Sequence, residues 1–89
     1  MNKFDAEGFE RMMARMKAES EVPGDGPMTE FAPAEAPLVR AGDIHGRAVA
    51  YTWHHGMIEW TDSRNKVHFD WFPAELIKRT GKNDDKGAL

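Results

Sequence analysis

The chain has 89 residues, 12 basic against 15 acidic side chains for a net charge of -3, three tryptophans and no cysteine. That length allows one small domain with a thin core, and the missing cysteines exclude a disulfide framework and any thiolate metal site. No basic leader with an apolar core opens the chain and no apolar run reaches the ~18 residues of a membrane helix, so the expectation is a soluble, cytoplasmic protein without a membrane partner.

The charge is uneven. Residues 1–37 carry four basic and eight acidic side chains, residues 38–81 six basic and five acidic. An acidic arm on a nearly neutral domain disfavours general affinity for phosphate backbones.

Taken in order, residues 1–20 read as an amphipathic, Met-rich helix. Asp5 is its expected N-cap, with Phe4 and Phe9 as a hydrophobic staple, and Glu7 stands one turn before Arg11 for an ion pair. Phe9, Met12, Met13 and Met16 fall at i, i+3, i+4 and i+7, which makes a single apolar stripe. A lone helix of this length is marginal in water, so the stripe must rest either on this protein's own sheet or on another molecule. Methionine suits the second use because it is flexible and polarisable.

Residues 21–37 hold four of the five prolines and no usable periodicity, and they read as a solvated Pro/Gly/acidic linker. Its large apolar residues, Met28 and Phe31, either anchor a short recognition segment or pack on the domain.

Residues 38–79 read as a β domain. Leu38–Arg40 and a strand from Ile44 flank a turn at Ala41, Gly42 and Asp43, and Gly46 marks a bulge or bend. Three alternating runs follow, carrying Val49, Tyr51 and Trp53, then Ile58 and Trp60, then Val67, Phe69 and Trp71. Matching these rows on one face favours a two-residue turn at His55 and Gly56, with Gly56 at positive φ, pairing Trp53 with Ile58 and Tyr51 with Trp60. A four-residue loop from Asp62 to Asn65 pairs Trp60 with Val67, Ile58 with Phe69 and Glu59 with His68, with Asp62 opening a type I turn and Asn65 closing it in the left-handed region. Pro73 to Leu76 predicts one helical turn before a closing strand, Ile77–Arg79, with a two-turn helix as the competitor. Residues 80–89 read as a polar tail.

The expected fold class is therefore mainly β with an N-terminal helix, a small five-stranded barrel or a strongly bent antiparallel meander. Five short strands, tight central hairpins and one helical turn before the last strand resemble the SH3-like barrel group with its Tudor-like and chromo-like relatives. The long acidic first loop of true SH3 domains is missing, so their proline-peptide groove transfers to no residue here. A small, acidic, cysteine-free chain with a helical arm is also similar to phage-type accessory proteins.

No catalytic group stands out. Ser20 and Ser63 are the only serines, neither has a histidine held beside it by spacing, and no glycine-rich phosphate loop is present. Neighbouring His54 and His55 point to opposite faces of an extended segment, which disfavours a shared metal ion, and no cofactor is expected. The expected function is non-catalytic binding of another protein, as an accessory or inhibitor protein, through Phe9, Met12, Met13 and Met16 or through Trp53 with His54 and His55 near a hairpin tip. Self-association through the Met-rich helix is a further use of the stripe. Nucleic-acid binding is the alternative, with Tyr51, Trp53, Trp60 and Trp71 stacking on bases and Arg47, Arg64, Lys66, Lys78 and Arg79 meeting phosphates.

Overall fold

The computed structural model describes residues 6–80. The elements are α1 (Ala6–Glu19), β1 (Thr29–Glu30), β2 (Leu38–Ala41), β3 (Ile44–Tyr51), β4 (His55–Thr61), β5 (Val67–Pro73) and β6 (Ile77–Arg79), with 3-10 turns at Pro33–Glu35 and Ala74–Leu76. The expected cap at Asp5, the staple residue Phe4 and the tail beyond Thr80 lie outside the described residues. All strand pairs are antiparallel, in the order β5-β4-β3-β2-β6, and β1 joins the far half of β3.

Several sequence expectations hold at the level of single residues. The single turn before the last strand is present, and the turn between β2 and β3 is one residue shorter than expected, Gly42 and Asp43 alone, because Ala41 pairs with Ile44 and ends β2. Asn65 takes φ 64, and the Asn65 N–H donates to the Asp62 carbonyl at 2.9 Å. The Asp62 carboxylate also accepts from the N–H groups of Arg64 and Lys66, which is how an aspartate stabilises the turn it opens.

Both predicted hairpin registers are displaced. In the first, Tyr51 lies opposite Gly56 and Ala50 opposite Met57, so the loop residues are Trp53 and His54. Gly56 is a strand residue without positive φ, and a side chain there would meet Ile77 Cδ1 at 2.7 Å. In the second, Thr61 pairs with Val67, Trp60 with His68 and Glu59 with Phe69, one residue away from the expected register. A bulge at Val49, between Ala48 and Ala50, bends β3, whereas the bend had been expected at Gly46. Gly46 serves a different need, the close approach of the β4 backbone.

The single apolar face expected of the meander is replaced by two cores. Met57 and Ile58 are neighbours on β4, point to opposite faces, and are both 0% exposed. One core collects Ala18, Val49, Ala50, Met57 and Phe69, and the other Val39, Ala41, Ala48, Ile58 and Ile77. Helix α1 and Met28 cover the first. The second is closed by Phe31, Ile44, Trp60 and Phe72.

Helix α1 docks with the side opposite to its methionines. Ala14 and Ala18 meet Phe69 and Trp71, small residues on the helix receiving large ones on the sheet. Trp71 Nε1–H donates to the Ala18 carbonyl at 2.9 Å, which also accepts the Glu21 N–H at 3.0 Å where the helix ends. Arg11 and Arg15 place their guanidinium groups 5.9 and 5.8 Å from the Phe69 ring. Arg11 pairs with Glu59 at 2.8 Å, in place of the expected Glu7, and Arg15 bridges Glu19 and Glu30.

Residues 21–37 are not solvated throughout. Thr29 and Glu30 pair with Tyr51 and Ala50, Ala36 is buried, and Arg47 donates to the Ala36 carbonyl at 3.0 Å. Met28 and Phe31 pack on the domain.

Candidate functional site

The β3–β4 hairpin ends in Trp53 and His54, closed by the Thr52 N–H donating to the His55 carbonyl at 2.9 Å. Trp53 is 73% exposed, more than any other large apolar residue described. It is braced nonetheless. The backbone of Gly26 lies against the indole so closely that a Cβ there would stand 2.7 Å from Cδ2, and Gly26 has φ 134, where glycine is favoured.

Asp25 holds this arrangement together. Its Oδ2 accepts the His54 N–H and lies 3.3 Å from His55 Nδ1. Desolvation acts to raise the Asp25 carboxyl, but the Thr52 hydroxyl facing it, the His54 N–H and the His55 ring outweigh that and hold it at about 2. The contact with Thr52 is not a closed hydrogen bond, since Thr52 Oγ1 and Asp25 Oδ1 are both shielded without a partner in bonding geometry.

Beside the tip lies an apolar slot of about 280 Å³. Phe31 and Tyr51 form one wall, their ring centroids 5.1 Å apart. Ala48, Ala50 and Gly56 keep the floor low, and His55 and Arg79 stand at its polar edge. His54 and His55 also line a second pocket with Pro73, Ala74 and Glu75. Among the described residues no three histidine, aspartate or glutamate side chains converge as a metal-binding group.

The structure thus brings Trp53, His54 and His55 to one tip and adds the slot, Asp25 and Gly26, which sequence reasoning had not assigned. The spacing of 29 residues between Asp25 and His54 leaves no local signal, since a Gly-Asp-Gly segment within a proline-rich stretch reads as a turn and nothing more. The other predicted set, Phe9, Met12, Met13 and Met16, lies on the helix side turned away from the sheet.

Two of the aromatics considered for base stacking are engaged internally. Trp60 Nε1–H donates to Asp70 at 2.8 Å and its ring stacks on His68 at 4.4 Å, while Trp71 is tied to Ala18.

His68 is 2.8 Å from Asp62 Oδ2. This contact, the Lys66 and Arg64 N–H groups and the charge of His68 hold the Asp62 carboxyl at about 2 against an opposing desolvation. A carboxyl whose pKa is lower in the folded than in the unfolded chain contributes stability above its unfolded value and loses it on acidification. Melting temperature is therefore expected to fall as pH drops from 3.8 toward about 2, as Asp25 and Asp62 take up protons. Asp62→Asn should flatten part of that slope. A carboxyl NMR titration placing Asp62 near the ordinary aspartate value would contradict the assignment.

No family model matches the chain, and no curated protein and no solved structure is significantly similar to it.

Proposed function

We propose that this chain is a non-catalytic protein-binding module, an SH3-like barrel with a helical arm, which acts as a small phage-type accessory or inhibitor protein on another protein. Support for the barrel reading is the strand order β5-β4-β3-β2-β6 with one 3-10 turn before the last strand. The observation that carries the functional reading is Trp53, an indole that is 73% exposed yet held in place by Gly26 and the Asp25-anchored tip. Tryptophan is the residue type most enriched among interface hot spots, and a side chain held in one orientation loses little entropy on binding. The slot between Phe31, Tyr51 and Ile77 receives an apolar side chain of the partner, next to Arg79.

The test compares wild type with Trp53→Ala. Affinity purification from the native host identifies the partner, and calorimetry with the purified partner measures the loss. Hot-spot truncation costs ~2 kcal/mol or more, so affinity should fall by about 30-fold. Folding stability should stay within about 0.5 kcal/mol, as for surface changes in general. Equal affinity of the two proteins would refute the assignment of Trp53. Binding of single-stranded or duplex nucleic acid with a steep salt slope would move the reading to the nucleic-acid class.

A further inference from the structure

Because α1 docks through Ala14 and Ala18, its opposite side leaves Met12, Met13 and Met16 exposed at 49, 47 and 54%. The charges beside that stripe are arranged in a particular way. At 100° per residue, Glu10 and Lys17 fall on the same shoulder of the stripe, about two turns apart along the axis. Their midpoint lies between Met13 and Ala14, which is also the centre of the methionine triplet.

A two-fold axis perpendicular to the helix, level with that point and lying between two copies, sets them antiparallel and brings the same shoulder of each together. Glu10 of either copy then meets Lys17 of the other, twice, while the methionines interdigitate between them. A parallel pair would instead turn this shoulder toward the other one, where Arg15 and Glu19 already pair with each other at 3.0 Å. Both groups are available. Glu10 is exposed, and among the described residues the Lys17 side chain meets Glu21 alone, in an exposed contact at 3.3 Å, a type of pair that contributes little.

We infer that the occupant of the Met12-Met13-Met16 face is a second copy of this chain, joined through an antiparallel helix pair with reciprocal Glu10–Lys17 contacts. This interface is isologous, as closed two-fold dimers require. It rests on the same binding reading of the helix face but is independent of the Trp53 tip. A 14-residue helix is about 21 Å long, too short to bury a standard-size interface. The dimer therefore belongs to the weak, reversible class, and methionine side chains accommodate the packing between copies.

Sedimentation of the full chain from about 5 to about 500 µM in low salt should show monomer passing reversibly to dimer over this range, as expected of a small interface. Met12→Glu with Met16→Glu should retain the circular dichroism spectrum and remove the dimer. Glu10→Lys alone and Lys17→Glu alone should each weaken it by about 5-fold. The two together should restore it, because each reversed charge again faces its opposite. A chain that stays monomeric at the highest concentration, or a dimer that survives the methionine changes, overturns the proposal. A double reversal that fails to restore association overturns the antiparallel crossing. Trp53→Ala should dimerise like wild type, so failure of this interface and failure of the hairpin tip are read separately.

Discussion

Gly46→Ala is expected to destabilise the domain by about 3 kcal/mol or more. A Cβ at Gly46 would stand 2.1 Å from the carbonyl oxygen of Glu59 and 3.0 Å from Ile58 Cγ2. The first of these is backbone in the centre of β4, opposite β3, and it cannot rotate away as a side chain would. Overpacking that side chains can absorb costs ~1–3 kcal/mol, so a clash with a paired strand belongs at or above the top of that range. Net stability of a domain this size is only ~5–13 kcal/mol. The check is urea denaturation beside Gly24→Ala, a position with nothing within 4 Å of an added Cβ. A Gly46→Ala protein as stable as the Gly24→Ala protein would mean that β3 and β4 lie further apart than described.

Met57→Ala and Ile58→Ala should each cost about 2–5 kcal/mol, the range for emptying a fully buried aliphatic position. The pair is informative because these neighbours are 0% exposed on opposite faces of one strand. Met57 belongs to the cluster with Ala18 and Phe69, Ile58 to the cluster with Val39, Ala41 and Ile77. A one-faced meander would leave Met57 half in water and its truncation nearly harmless. A loss under about 1 kcal/mol for Met57→Ala, as for a surface change, would show that helix α1 does not cover the sheet. Equal losses at both positions would establish two cores of comparable weight.

The position of the binding tip depends on the same register. With the loop at Trp53 and His54, the indole stands at the hairpin apex beside Gly26. With the loop two residues later, at His55 and Gly56, it would have paired with Ile58 inside the ladder. The register seen is held by Asp25, which takes the His54 N–H. The second hairpin shifts for a related reason: the turn residues Asp62 and Asn65 do what their chemistry predicts, but the Asp62 N–H donates to the Lys66 carbonyl and pulls Lys66 into the loop.

Local chemistry was legible in the amino-acid order itself. Alternating aromatic and β-branched runs, Pro73 before a single turn, Asn65 in the left-handed region and the 3.6-residue spacing of Met12, Met13 and Met16 each follow from what a residue does to its own backbone and its near neighbours. Trp53, His54 and His55 were legible as hairpin residues for the same reason. Which side of the helix would dock was not, because a sequence stripe records hydrophobicity and not fit. Ala14 and Ala18 win the contact by receiving Phe69 and Trp71, a complementarity of shape that exists only once the strands are placed. The two registers, the double core on β4 and the clasp of Asp25 on a loop 29 residues away were decided at that level too, since each is a choice between pairings whose local energies are nearly equal and whose difference arises in the packed whole.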